Sequence, residues 1–329
     1  MNKIRTAVIG VGHLGRHHAR WYNSIKESEL IGVYDTDQSK CASVADDLGV
    51  TAFGRLEDIF GKVDAVSVVT PTTTHCEVTE RLLREKIHCL VEKPITASVD
   101  EANKLIKCAA ENNVTLTVGH IERFNPAVQA LKDCDIAPRF IEAHRLAAFD
   151  PRGTDVAVVL DLMIHDIDLA LHLVKSKVKR IEAAAVAVVS DNDDIANARL
   201  TFENGAVANL TASRISLHAM RKLRIFQKSG YYSLDLASKQ ADIYRLAGGA
   251  DDNRAGMRIP LGKSGHTLLY SKVGNKDDDM LRAELSSFVN AVLNGTSPEV
   301  AASDAAEALR VAIEIDRIGV NGVISDDIK

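Results

Sequence analysis

The chain has 329 residues, too many for most single hydrophobic cores and suited to two domains. Its 46% hydrophobic and 26% charged content is that of an ordinary globular protein, and a formal charge of −5 offers neither nucleic acid nor an anionic membrane a basic surface. Five cysteines (Cys41, Cys76, Cys89, Cys108, Cys134) lack C-x-x-C spacing and read as reduced thiols, so neither a disulfide frame nor a metal site is expected. No apolar stretch approaches the ~20 residues that span a bilayer and no export signal precedes the first strand, which sets the expected location in the cytoplasm.

The first element is the apolar run Ala7-Val8-Ile9, which meets Gly10-Val11-Gly12-His13-Leu14-Gly15. A helical segment, Arg16 to Ile25, follows, and a second apolar run, Leu30 to Tyr34, ends on Asp35. Strand, glycine turn, helix, strand and then an acid make a G-x-G-x-x-G in the context that gives it meaning: a dinucleotide site. Gly10 permits the turn, Gly12 lets backbone approach a pyrophosphate, and Gly15 lets helix and strand pack closely. The Asp35 carboxylate can accept from both ribose hydroxyls and repels a 2′-phosphate, which selects NAD over NADP. Asp37 reads as a cap for the helix beginning near Ser39.

Strand and helix then alternate. Ala65 to Val69 is a strand ending at Thr70-Pro71, His75 to Lys86 a helix, His88 to Val91 a strand, Asp100 to Asn112 a helix and Leu116 to Val118 a strand. This grammar predicts an α/β fold with an N-terminal doubly wound parallel sheet, a Rossmann domain over residues 1–119. Residues 120–329 form the expected second, α+β domain. Its strands run Ile141 to Phe149, Arg180 to Ser190, Ala196 to Phe202, Ala206 to Ile215, Leu223 to Lys228 and Tyr231 to Leu236, in an open, largely antiparallel sheet. Glu203-Asn204-Gly205 reads as a hairpin turn. Helices are expected over Val159 to Lys175, Asp278 to Asn294 and Ser303 to Ile318, and a surface loop over Gly248 to Gly265.

Two segments could carry chemistry. Glu92-Lys93-Pro94 follows a buried strand at the carboxyl edge of the parallel sheet, where doubly wound folds bind ligands, and Pro94 keeps Lys93 out of helical geometry. A lysine there can stabilise an alkoxide as hydride leaves; taken alone, the tripeptide equally fits a turn with a solvated charge pair. In the second segment Asp161 and His165 stand one helical turn apart and Asp168 and His172 extend their stripe. An acid beside an imidazole raises its basicity for work as a general base, though the same spacing fits a salt-paired polar helix face, or less well a metal pair without a third ligand.

Together the glycine turn, Asp35, Thr70-Pro71 with His75, Glu92-Lys93-Pro94 and Asp161-x-x-x-His165 resemble the glucose-fructose oxidoreductase and inositol dehydrogenase (Gfo/Idh/MocA) family over the whole chain. The family's usual glycine pair before the helical motif is replaced by Val158-Val159. The resemblance implies a catalytic set of Lys93, Asp161 and His165, with a nicotinamide between the domains. It further implies a cofactor set of Gly10, Gly12, His13, Leu14, Gly15, Asp35, Thr70, Pro71, Thr72, His75, Glu92 and Lys93. Narrower segments, Gly119 to Ala127, Glu142 to Leu146, Pro151 to Asp155 and Arg221 to Arg224, look like those of UDP-N-acetylglucosamine 3-dehydrogenases, which supply a 3-amino sugar for amide-linked lipid A. Arg123, Arg145, Arg152, Arg214 and Arg221 would suit a diphosphate, each being on its own an ordinary surface charge. The expected substrate contacts are Lys93, Arg123, Asn125, Arg152, Asp161, His165 and Arg214. The resulting expectation is NAD-dependent oxidation of the sugar C3 hydroxyl by a homo-oligomer, dimer or tetramer. The rivals are a dehydrogenase of the uronate form, one of inositol or another polyol, and a nucleotide-binding regulator without turnover.

Overall fold

Two sheets organise the chain in a computed structural model that describes residues 3–150, 156–248, 256–262, 266–275 and 277–321. The first is built from β1 (Ile4–Ile9), α1 (His13–Ser24), β2 (Ser28–Tyr34), α2 (Gln38–Leu48), β3 (Thr51–Phe53), β4 (Ala65–Val68), α3 (Thr72–Arg84), β5 (His88–Val91), α4 (Val99–Asn112) and β6 (Leu116–Val118). Its order is β3-β2-β1-β4-β5-β6 and every pairing is parallel. Strand order therefore reverses between β1 and β4, so the turns after these two strands, at Gly10 and Thr70, flank the switch point where such sheets bind ligands. The β3 strand escaped the sequence reading because it is three residues long with two exposed, too short to show a period. Asp37 caps α2 as expected, accepting from Ser39 N and Lys40 N.

The second sheet has nine strands. After a single helical turn, α5 (Pro126–Gln129), come β7 (Phe140–Leu146) and α6 (Ile164–Val174). Then follow β8 (Val178–Val186), β9 (Ile195–Phe202), β10 (Val207–Ser213), β11 (Met220–Gln227), β12 (Gly230–Asp235), β13 (Gln240–Leu246), β14 (Met257–Pro260) and β15 (Thr267–Val273). The order is β14-β15-β13-β12-β11-β7-β10-β9-β8, antiparallel except for β7 beside β10. The hairpin at Glu203-Asn204-Gly205 is present, with Gly205 at φ +78°. Two expectations are corrected. Gly248 to Gly265 is not all loop, since Met257 to Pro260 pairs with β15; residues 249–255 and 263–265 lie outside the described residues. The helix expected from Val159 starts as a π turn, Val159–Met163, before it becomes α-helical.

Helices α7 (Met280–Asn294) and α8 (Ala302–Asn321) complete the described chain. By contact the chain divides into two compact units, Met1–Phe124 with Asp279–Arg310, and Asn125–Asp278 with Val311–Lys329. The first unit thus includes α7, which a boundary drawn from the change of strand grammar places in the second domain. Its buried stripe, Leu281, Leu285, Phe288 and Val289, belongs to the same core as Val8, Ala19, Tyr22 and Leu30. No described helix is long and apolar enough to cross a membrane.

Candidate active site

In the first unit the glycine turn has the backbone geometry that its spacing implies at Gly10 and Gly15. Gly10 has φ +88°, a conformation that a side chain strains against, and a Cβ on Gly15 would stand 1.9 Å from the Gly10 carbonyl oxygen. Gly12 differs: a Cβ there meets nothing within 4 Å, so it would project into open space at the helix terminus. Gly12 is the N-cap of α1 and supplies no side-chain cap, and His13 and Leu14 are exposed on the first turn. A twelve-residue helix with uncapped N–H groups and the positive end of its dipole facing a glycine-lined space is suited to a pyrophosphate. Asp35, at the end of β2, is locked beside this turn. Its Oδ2 accepts from Val11 N at 2.8 Å and its Oδ1 from Asp37 N at 2.9 Å. The residues present fit a dinucleotide.

Across the switch point Thr70 and Pro71 precede Thr72, which opens α3, and Thr70 and Thr72 are half-buried. His75, 1% exposed, does not face solvent; it sits between two backbone carbonyls, with Nε2 2.8 Å from Thr70 O and Nδ1 3.0 Å from Pro94 O. It ties the turn after β4 to the turn after β5. Lys93, half-buried, is carried on that second turn, where the Lys93-Pro94 peptide is cis.

Glu92 is set from three sides. Its Oε2 accepts from Lys93 N at 3.2 Å, and its Oε1 lies 3.1 Å from Nε2 of the fully buried His18, off the line a strong hydrogen bond needs. A Cβ on Gly119 would come within 2.8 Å of the carboxylate, so that position tolerates only glycine while Glu92 stays in place. Burial pushes the Glu92 carboxyl up, but His18 and Lys93 outweigh it and hold the group below its usual range. His18 went unnoticed in the sequence although its signal was there: with Gly15, Ala19 and Tyr22 it forms the buried stripe of α1.

In the second unit the Asp161/His165 segment lies on the π turn and the start of α6. Both residues are half-buried, whereas Asp166 and Asp168 are only 2% and 1% exposed. A solvated polar face does not describe this helix. Asp166 receives a two-pronged grip from Arg145 of β7, Nε to Oδ2 at 3.0 Å and Nη2 to Oδ1 at 2.9 Å. Arg145, read in the sequence as a phosphate contact, is therefore internal. The period of two in β7 shows why, since Arg145 shares the inward face with Ile141 and Ala143.

The remaining expected substrate contacts are placed as follows. Arg123, 2% exposed, lies against Asp304, Nη2 to Oδ2 at 3.4 Å. Asn125 is fully buried, with its Oδ1 accepting from Ala127 N to cap α5 and its Nδ2 donating to Leu236 O. Arg214, 5% exposed, donates to Val156 O and stands 3.9 Å from the buried Asp194. Arg221 is exposed on β11, and Arg152 lies outside the described residues.

Known proteins agree with this architecture. Residues 4–120 match the oxidoreductase family with NAD-binding Rossmann fold, and residues 138–233 match the GFO/IDH/MocA C-terminal domain. A UDP-N-acetylglucosamine 3-dehydrogenase of Acidithiobacillus ferrooxidans is 42% identical over 296 residues, 89% of this chain and 90% of the relative. A solved structure of that enzyme superposes with a TM-score of 0.87 at 38% identity, covering 96% of this chain and 98% of the other. More distantly, a scyllo-inositol 2-dehydrogenase (NAD(+)) of Bacillus subtilis is 25% identical over 98% of this chain and 96% of its own. The chain belongs to the Gfo/Idh/MocA oxidoreductase family, and residues 4–120 are that family's NAD-binding Rossmann fold.

Proposed function

We propose that the protein oxidises the C3 hydroxyl of the sugar in UDP-N-acetylglucosamine with NAD, giving a 3-keto sugar that an aminotransferase can convert to a 3-amino sugar for lipid A. The observation that carries this reading is the 42% identity, over nine-tenths of both chains, to an enzyme of that activity. The glycine cradle and Asp35 support the cofactor half of it.

Gly10, Gly12, His13, Leu14 and Gly15 would hold the pyrophosphate, Asp35 the adenosine ribose, and Thr70, Pro71, Thr72, Glu92 and Lys93 the nicotinamide end. NAD bound there supplies the acceptor for the hydrogen and electron pair leaving C3. His165, oriented by Asp161, takes the hydroxyl proton, because a positioned imidazole is the side chain best matched to that transfer near neutral pH. Lys93 steadies the oxygen as negative charge grows on it, which lowers the barrier without itself moving a proton.

The reading includes a cytoplasmic homo-oligomer, dimer or tetramer, formed through the outer face of the nine-stranded sheet. Phe140, Phe226, Tyr231, Tyr244 and Tyr270 support it: they stack across five adjacent strands with centroids 4.9 to 5.7 Å apart on the face away from the sheet's buried side chains. The test is NAD reduction, followed by absorbance, across UDP-N-acetylglucosamine, its uronate and free inositols. Turnover with the first substrate is expected, and turnover confined to free polyols would overturn the reading.

A further inference from the structure

His75 stands where an apolar residue is expected. The buried stripe of α3 runs His75, Thr79, Leu82, Leu83, and its first member is a ring almost closed to solvent. Burying an imidazole is costly unless its nitrogens find partners, and here both do, at Thr70 O and Pro94 O. Both partners are acceptors, so both contacts are hydrogen bonds when the ring carries two protons. The two nitrogens belong to one rigid plane, and the ring therefore sets the spacing of the two carbonyls. One of those carbonyls directly follows Lys93. Upstream of it the sheet holds the chain as far as Glu92, whose N donates to Val68 O, but β5 itself ends at Val91. Lys93 N donates to Glu92 Oε2, and Pro94 O is held by His75. The Lys93 backbone is thus flanked by a sheet bond before it and, after it, by a side chain from the crossover helix between β4 and β5.

We infer that His75 is a positioning residue for the reaction: by bridging Thr70 O and Pro94 O it sets where the root of the Lys93 side chain stands against the turn at the switch point. This gives His75 a part other than the cofactor contact that the family resemblance implies. The inference rests on the functional reading in taking Lys93 as the group that acts on the reacting oxygen.

Two amides separate the two contacts of the ring. The glutamine amide nitrogen matches the place of Nε2 and that of asparagine the place of Nδ1, so His75→Gln keeps the tie to Thr70 and loses Pro94, while His75→Asn does the reverse. His75→Gln should lower kcat about tenfold, as for a catalytic group displaced by a fraction of an ångström, with NAD affinity by direct titration changed much less. His75→Asn should recover part of this, losing about threefold. The deciding arm is a cycle with Lys93→Met. In that background His75→Gln should cost less than about twofold more, because there is no amine left to misplace. A loss of kcat that persists undiminished in the Lys93→Met background would show that His75 serves the fold generally, and a fall in NAD affinity as large as that in kcat would make it a cofactor contact; either overturns the inference, as does an unchanged kcat in His75→Gln. Should His75→Gln fail to fold, His75→Asn runs the same cycle, and its smaller loss must vanish likewise. All ratios are taken on whichever alcohol the wild type oxidises. Full kcat in Lys93→Met alone would sink the role given to Lys93 and this inference with it, whereas a large Lys93→Met loss with a persisting His75→Gln loss sinks this inference only.

Discussion

The turn between β1 and α1 and the turn that opens α6 are made of different materials. The first is backbone: a left-handed glycine, a helix terminus, and a carboxylate tied to main-chain nitrogens of its own turn. The second is side chains, held by a charged pair whose members stand 21 residues apart. Backbone sites announce themselves through glycine spacing because the conformation admits little else. A site built from side chains announces only its residue types, and an arginine aimed inward at a carboxylate looks in sequence like one aimed outward at a phosphate.

The sharpest way to break this comparison is inside the glycine turn. Gly15→Ala puts a methyl against the Gly10 carbonyl and should abolish NAD binding together with much of the fold's stability. Gly12→Ala meets no protein atom, so its melting temperature should stay at the wild-type value while NAD affinity, measured by fluorescence titration, falls as the methyl enters the phosphate space. Equal loss of stability in both would mean that Gly12 serves packing and that the cradle is misassigned.

The legible part of the fold was the part with short-range rules. The parallel sheet followed from alternation, and the Asn204-Gly205 hairpin from turn chemistry. Strand β14 was lost in a glycine-rich stretch because only its pairing with β15 makes it a strand. The role of α7 was unreadable for a related reason: its apolar stripe shows that it packs, not on what. Among the site residues, Gly10 has the turn conformation and Gly15 the close packing that their spacing implies, whereas Arg145 turned out to be an internal tie. The alternation of β7 carried that information about Arg145, but nothing local indicated Asp166 as its partner.

The next test concerns chemistry. If Lys93 acts on the reacting oxygen as proposed, Lys93→Met should lower kcat by about 10²-fold or more, a much larger loss than any in NAD affinity. His165→Gln and Asp161→Asn should each impair kcat, and the double variant should lose far less than the product of the single losses, as expected of residues acting as one unit. Multiplicative losses would separate the pair and move the base assignment to Lys93.

A more modest effect is expected at Asp35. Because its carboxylate is fixed by two backbone N–H groups, it cannot swing away from an incoming 2′-phosphate. Wild type should prefer NAD to NADP, and Asp35→Ala should narrow the preference while weakening NAD itself. Tighter binding of NADP to the unaltered protein would reverse the assignment.

The smallest effects belong to the acids near the end of β8, where the second unit's reliance on side chains can be read from pH alone. Asp194, fully buried, accepts at Oδ2 from the N–H groups of Val188, Val189 and Ser190, and although burial disfavours its charge these bonds hold its carboxyl well below the usual range. A depressed acid contributes stability that is complete above its unfolded value, about pH 3.9, and is lost as pH falls through the folded one. Asp193 is the opposite case: burial, then the charge of Asp194, push it up, and its Oδ2 has no hydrogen-bond partner among the described residues. A raised acid contributes stability below its unfolded value that is lost as pH rises through the folded one, so at neutral pH the Asp193 charge is a net cost. Asp194→Asn should therefore cost about 1–3 kcal/mol at neutral pH and flatten the acid limb of a melting-temperature profile. Asp193→Asn should raise the neutral melting temperature by a few degrees at most, with the gain vanishing on acidification. If Asp193→Asn instead lowered stability at neutral pH, its carboxylate would be accepting a bond that offsets its burial, and these two neighbouring acids would no longer stand as opposite cases.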